Sequence, residues 1–163
     1  MSRARAAAGT LLFFVLAPGT VAGLVPWLLT RWEAASPLPF WAGLRVVGAV
    51  LLVAGVAVLV HAFVRFAVEG VGTPTPVSPT AHLVVGGLYR WVRNPMYLAV
   101  TATIVGQALL LGRPVLLLYA LGASIAFVAF VRGYEEPALA RRFGPEYEAY
   151  RRDVPGWWPR RRR

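Results

Sequence analysis

The chain has 163 residues, of which 58% are hydrophobic, and its mean hydropathy is +0.59. Soluble domains are about 45–50% apolar, and the excess here is gathered in continuous runs, which favours a membrane protein. The formal net charge is +10 and every basic residue is an arginine. Because the arginines flank the apolar runs, they indicate membrane topology rather than nucleic-acid binding. The absence of cysteine excludes disulfides and thiolate metal sites, and two histidines are too few for most metal cages.

Apolar runs, taken in chain order, predict the helices. They cover residues 11–29, 46–67, 96–111 and 114–131. A membrane span needs roughly 17–25 residues, so the third run is marginal. Prolines interrupt the first run, but membrane helices tolerate them where neighbouring groups satisfy the freed carbonyls. A cleaved signal peptide is the alternative for that run, and its length argues against this. We therefore predict an all-α integral membrane protein with a bundle of about four transmembrane helices.

The arginines predict the orientation of this bundle. Arg31, Arg45 and Arg113 fall on one side of the membrane, and all other arginines fall on the opposite side. Since cytoplasmic loops carry the excess of positive charge, we expect a multi-pass protein of the cell (inner) membrane, with both termini and the central loop in the cytoplasm.

Small residues and turn residues predict how the helices pack. Gly48, Gly55 and Ala62 recur at every seventh position of the second run, which would let another helix approach closely. The alternative is that glycine and alanine are simply frequent here. Residues 112–114, Gly-Arg-Pro, form a short link that predicts an antiparallel hairpin of the last two helices.

A proline-rich loop separates the two halves of the chain. Pro74, Pro76 and Pro79 preclude a helix, and we expect a cytoplasmic loop that folds against the mouth of the bundle. Residues 1–80 then hold two transmembrane helices and this loop, and residues 81–163 hold the functional core. We expect the two parts to form one structural domain.

Two polar clusters flank the last two helices, and the hairpin should bring them together. The first cluster consists of Tyr89, Arg93, Asn94 and Tyr97, and the second consists of Arg132, Glu135 and Glu136. Such a site suits a zwitterionic amino acid, because a carboxylate such as Glu135 can pair with an ammonium group. Aromatic rings can also accept the sulfonium of S-adenosylmethionine.

Two motifs give a specific resemblance. The sequence GLYRWVRNPMYL at 87–98, then an apolar hairpin, then EEPALARRFGPEYEAYRRDVPGWWP at 135–159, resembles the isoprenylcysteine carboxyl methyltransferase and phospholipid methyltransferase superfamily. The resemblance covers residues 81–159. It implies a membrane-embedded, S-adenosylmethionine-dependent methyltransferase. The acceptor would be a lipid-like or prenylated small molecule that offers a carboxylate, an amine or a hydroxyl group.

The resemblance also implies roles for individual residues. It assigns cofactor contacts to His82, Leu83, Val84, Tyr89, Arg93, Asn94, Pro95, Met96, Tyr97 and Glu135. Glu135 is similar to the carboxylate that binds the methionine part of the cofactor. Asn94 stands where the superfamily has a histidine, and an amide can form hydrogen bonds but cannot titrate near neutral pH.

Three further residues are candidates for catalysis. The arginine that holds the substrate carboxylate in the prenylcysteine enzymes of this superfamily aligns near Val131, and Arg132 lies one residue further, about 100° around a helix. A carboxylate acceptor needs no base, whereas an amine or hydroxyl needs a proton acceptor, for which Glu136 and His61 are the candidates.

Other interpretations remain open at this point. One is a sterol-type membrane reductase that uses NADPH, and another is a non-catalytic membrane scaffold with the same fold. Trp157, Trp158 and the terminal arginines are typical of an anchor at the membrane interface. The expected partners are the lipid bilayer and a hydrophobic small-molecule acceptor, without nucleic acid or metal, and the oligomeric state is left open.

Overall fold

The computed structural model describes residues 9, 12, 15–69 and 82–159, and that part of the chain is helical, without strands. The predicted proline-rich loop around Pro74, Pro76 and Pro79 lies outside the described residues. The all-α architecture is confirmed for the described part.

The helices follow the apolar runs closely. The elements are α1 (Val15–Thr30, containing a π-turn at Thr20–Leu24), α2 (Trp41–Glu69), a 3₁₀ turn (Gly87–Arg90), α3 (Pro95–Leu111), α4 (Val115–Phe130), a second π-turn (Val131–Glu135), α5 (Glu136–Phe143) and α6 (Pro145–Asp153). The second π-turn joins α4 to α5, so that Val115–Phe143 is one continuous helix. Helix α6 begins at Pro145 because proline suits the first helical turn.

Two helices of the described part are long and apolar enough to cross a membrane. These are Trp41–Arg65 within α2 and the continuous helix Val115–Phe143. Only 28% and 17% of their apolar windows are buried inside the protein, unlike the core helix of a soluble domain. The described part of α1 and helix α3 are shorter apolar helices. The predicted apolar helices are therefore present, while a total of four spans stays a prediction.

Helices α2 and α3 pack face to face through glycines. A Cβ atom at Gly48 would lie 2.5 Å from the backbone N of Leu110, and one at Gly55 would lie 2.5 Å from Oγ1 of Thr103. Ala62 on the same face is completely buried. Gly48 of α2 contacts Leu110 of α3, and Gly55, further along α2, contacts Thr103, which is earlier in α3. The two helices are therefore antiparallel. The predicted packing face is confirmed.

The link between α3 and α4 is the predicted tight hairpin. Gly112 has a φ of +64°, a left-handed conformation that favours glycine, and its N–H bonds back to Ala108. The N–H of Ala35 donates to the carbonyl of Leu111 at 2.7 Å, which ties the loop after α1 to this link. The hairpin returns the chain, so that the start of α3 and the end of α4 lie together at the opposite end of the bundle.

Proline in α1 is accommodated by neighbouring helices. Pro26 lacks the N–H that would bond the carbonyls of the preceding turn. Nε2 of Gln107 donates a hydrogen bond to the carbonyl of Ala22 at 2.6 Å, and the hydroxyl of Tyr119 donates one to the carbonyl of Val21 at 2.7 Å. The cross-helix bonds thus satisfy both carbonyls and fix α1 against α3 and α4.

Candidate functional site

The two predicted clusters do meet in space, at the start of α3 and in the second π-turn. The hydroxyl of Tyr97 donates to Oε2 of Glu135 at 2.8 Å. Tyr97 lies in the first turn of α3, because Pro95 begins that helix and keeps Asn94 outside it. Glu135 is the last residue of the π-turn that closes α4. Turns of this kind are frequent at functional sites.

Two aromatic rings pack against Tyr97 of this pair. The ring of Tyr97 lies 5.0 Å from that of Phe127 and 6.3 Å from that of Trp157, measured between centroids. Glu135 is half-buried, and one of its carboxylate oxygens is bound by Tyr97. The second carboxylate oxygen of Glu135 can accept a hydrogen bond from an organic cation, and the faces of the rings can attract its positive charge.

Arg93 and Glu136 form an ion pair beside this site. NH1 of Arg93 lies 3.0 Å from Oε1 of Glu136 and donates to the hydroxyl of Tyr147 at 3.1 Å. Arg151 approaches the other oxygen of Glu136 at 3.9 Å. The side chains of Arg93 and Glu136 are only 13% and 17% exposed, so the pair joins α5 and α6 firmly to the turn before α3.

The C-terminal segment, defined here as residues 154–158, is bound to that same turn. The N–H of Arg93 donates to the carbonyl of Pro155 at 2.9 Å. The backbone N–H and Nδ2 of Asn94 both donate to the carbonyl of Gly156, each at 3.1 Å. The amide of Asn94, which we expected to contact a cofactor, therefore holds the C-terminal segment through its nitrogen.

Tyrosines outside the apolar helices are kept protonated. Burial raises the pKa of Tyr89 well above its usual value and also raises the pKa of Tyr150 and of Tyr147. The hydroxyl of Tyr150 donates to the carbonyl of Tyr89 at 2.7 Å. The hydroxyl of Tyr147 accepts a hydrogen bond from Arg93, so these tyrosines are neutral hydrogen-bonding groups at neutral pH and not bases.

Neither histidine takes part in the hydrogen bond between Tyr97 and Glu135. His61 is exposed, and its Nε2 lies 2.8 Å from the place a Cβ atom would take at Gly87, against the 3₁₀ turn. His82 is also exposed, and neither histidine forms a hydrogen bond with Tyr97 or Glu135 in the described part. The structure thus gives His61 a place beside the 3₁₀ turn and no contact with the pair.

The remaining predicted residues divide between core and surface. Val84 and Tyr89 are buried in one apolar cluster, against which Met96 packs, while Leu83 is half-buried and Pro95 is buried. Arg132 is exposed and lies at an apolar groove of about 430 Å³ on α4. The groove is lined by Ser124, Ile125, Val128, Ala129 and Arg132.

Sequence reasoning missed two members of the site. Phe127 lies eight positions before Glu135 on the same continuous helix, and nothing in its sequence context marks it. Trp157 was expected only as an interface anchor, yet its ring packs on Tyr97. The adjacent Trp158 is 79% exposed and does fit an anchor. The signal for Trp157 was its position in VPGWWP, residues 154–159, at the end of the second motif of the resemblance.

Comparisons with known proteins agree with these features. The family model described as phospholipid methyltransferase matches residues 44–146, which is more than half of the chain. The match includes Tyr97, Phe127 and Glu135 and ends within α6. The search of curated proteins finds no match. The described residues contain no group of three or more acidic or histidine side chains that could hold a metal ion.

Proposed function

The chain belongs to the phospholipid methyltransferase family, and on that premise we propose that it transfers a methyl group from S-adenosylmethionine to a lipid-like acceptor within the membrane. The family makes it a membrane methyltransferase. The observation that supports this cofactor is the Tyr97–Glu135 hydrogen bond of 2.8 Å, placed beside the rings of Phe127 and Trp157.

The donor groups of the site fit S-adenosylmethionine. Its amino-acid part carries an ammonium group, for which the free oxygen of Glu135 is a charge-assisted acceptor. Tyr97 fixes the orientation of that carboxylate, so that little side-chain freedom is lost on binding. When bound, the cofactor supplies a methyl group on a positively charged sulfur, and electron-rich rings attract such a charge.

An acceptor with an apolar chain fits the groove on α4. Ile125, Val128, Ala129 and Arg132 follow the spacing of a single helix face. The apolar members would contact the chain of the acceptor, and Arg132 would attract an anionic group at its polar end. Arg132 has no hydrogen bond or ion pair with another described residue, so its charge is free for such a contact.

The surroundings of Glu136 favour an acceptor that reacts without prior loss of a proton. Two guanidinium groups lie at 3.0 and 3.9 Å from its carboxylate oxygens, so both oxygens are already engaged in ion pairs. The side chain of His61 lies against Gly87, where its Nε2 is 2.8 Å from the place a Cβ atom would take. A carboxylate is therefore the acceptor group that suits these residues best, since it can attack a methyl carbon without a base.

We further propose four membrane spans, with both termini on the cytoplasmic side of the cell membrane. Arg113 and Arg45 lie at the link end of the bundle, where Arg113 pairs with Glu33 at 3.2 Å and Arg45 donates to the carbonyl of Ala35 at 3.0 Å. Arg93, Arg132 and the arginines of α5 and α6 lie at the end that carries the site. This segregation supports a cytoplasmic site.

The test is a comparison of ligands on the purified protein in lipid nanodiscs. Calorimetry should show binding of S-adenosylmethionine and S-adenosylhomocysteine and none of NADPH. Radiolabelled methyl transfer to a total lipid extract should then identify the acceptor fraction. Binding of NADPH without binding of S-adenosylhomocysteine would favour a reductase and overturn the proposal. A protein that binds none of the three would be a scaffold.

A further inference from the structure

The C-terminal segment is attached to the candidate site by its backbone. Residues 93 and 94 together donate three hydrogen bonds to the carbonyls of Pro155 and Gly156, at 2.9, 3.1 and 3.1 Å. Val154 is buried, and Tyr147 on the preceding helix is almost completely buried. The segment is therefore fixed from Val154 to Gly156, directly before the side chain of Trp157.

This attachment places Trp157 and Trp158 in opposite environments. Trp157 is half-buried, with its ring 6.3 Å from the ring of Tyr97 and tilted by 47°. Trp158 is 79% exposed. An anchor at a membrane interface would use both rings in the same way, whereas only Trp158 faces outward.

Trp157 completes a set of three rings next to a carboxylate. Phe127 comes from α4, Tyr97 from α3 and Trp157 from the C-terminal segment, and the hydroxyl of Tyr97 is bonded to Glu135. Tryptophan has the ring face that attracts cations most strongly. In the methyl donor, the ammonium group and the sulfonium are only a few bonds apart. If Glu135 binds the ammonium group, the three rings therefore lie close to the sulfonium.

We propose that Trp157 is a binding residue for the positively charged sulfur of the methyl donor, and that the C-terminal segment is one wall of the cofactor site. This inference rests on the proposed function and extends it to a part of the chain beyond the family match, which ends at residue 146. Asn94 is then the residue that positions this wall, through both of its nitrogen atoms.

The test compares two adjacent tryptophans. Trp157→Leu should weaken S-adenosylmethionine binding by about tenfold, and S-adenosylhomocysteine binding by less, because its sulfur is uncharged. Trp157→Phe keeps a ring and should recover most of the affinity. The matched control, Trp158→Leu, should change neither affinity by more than about twofold. Calorimetry in nanodiscs measures all four proteins.

A second measurement reads the position of the segment without catalysis. The natural chain has no cysteine, so Trp157→Cys and Trp158→Cys each introduce a single thiol. Saturating S-adenosylhomocysteine should slow maleimide labelling at position 157 severalfold and leave position 158 unchanged.

The outcomes separate this inference from the proposed function. A parent protein that binds neither compound would overturn both. Binding that Trp157→Leu leaves unchanged, or weakens equally for the two compounds, would overturn the assignment of Trp157 alone. Equal protection of both thiols would also overturn it, because both positions would then respond to a general change in the protein.

Discussion

The two π-turns show how one local distortion serves two purposes. Each ends two residues before a proline: Leu24 precedes Pro26, and Glu135 precedes Pro137. In each, a backbone N–H just after the turn bonds five residues back, from Val25 to Thr20 and from Glu136 to Val131. The next residue is the proline, which has no N–H to donate. The carbonyls of the two residues after Thr20, and of the two after Val131, therefore lack their usual backbone donor.

The surroundings of these carbonyls differ. In α1, side chains of other helices cover them, since Gln107 and Tyr119 donate to Ala22 and Val21. In the second turn the corresponding residues, Arg132 and Gly133, are exposed, and we expect water to reach their carbonyls. A turn inside an apolar bundle needs protein donors, whereas a turn at an exposed stretch of a helix does not. The second turn is therefore free to carry a ligand site.

The largest effect that tests this comparison is expected for Glu135→Gln. The change keeps the shape of the side chain and removes the charge, which leaves the ammonium of a bound cofactor unpaired. We expect a loss of about 2–4 kcal/mol in binding of S-adenosylmethionine and S-adenosylhomocysteine alike. Calorimetry measures both affinities, and the exposed Glu146→Gln on α6 is the control. Parent-like binding would show that the second turn is structural, like the first.

The corresponding test of the first turn is Gln107→Leu. Gln107 is 7% exposed and its loss leaves the buried carbonyl of Ala22 without a donor. We expect unfolding to become easier by about 1–3 kcal/mol, with S-adenosylhomocysteine affinity unchanged. Denaturant titration in mild detergent measures the stability.

A double-mutant cycle sharpens that result. Pro26→Ala restores an N–H that can bond the freed carbonyl, so Gln107→Leu should cost less in the Pro26→Ala background. Equal costs in both backgrounds would mean that Gln107 acts through its bond to Trp32, whose Nε1 donates to Oε1 of Gln107 at 3.1 Å.

A smaller effect on binding is expected for Tyr97→Phe. The ring and its contacts with Phe127 and Trp157 remain, while the hydrogen bond of 2.8 Å to Glu135 is lost. One hydrogen bond of this kind contributes about 1 kcal/mol, so the affinity for S-adenosylhomocysteine should fall by about fivefold. A loss as large as that of Glu135→Gln would indicate that the hydroxyl itself contacts the ligand.

Local signals predicted the framework of this protein well. The apolar runs became helices, the Gly48–Gly55–Ala62 face became the α2–α3 contact, and residues 112–114 became the hairpin link. Each of these depends on residues close together in sequence, or on one repeated spacing. The meeting of Tyr97 with Glu135 followed from the hairpin.

Features that depend on distant backbone contacts were not predictable in this way. Trp157 and Trp158 are the same residue type, and their environments differ because the carbonyls of Pro155 and Gly156 bond residues 93 and 94. Glu136 was a candidate base, and its pairing with Arg93 depends on how α5 leaves the second π-turn. Sequence spacing does not encode either contact.

The smallest effect is expected for Pro137→Ala, the counterpart of Pro26→Ala. Arg132 and Gly133 are exposed. If water satisfies their carbonyls, as we propose, a new N–H at position 137 replaces one hydrogen bond with another of similar strength. The stability should therefore change by no more than about 0.5 kcal/mol. The same denaturant titration measures it, beside Pro26→Ala. A change above about 1 kcal/mol would mean that the carbonyls of the second turn are shielded from water as those of the first are, and the distinction between the two turns would then rest on Glu135 alone.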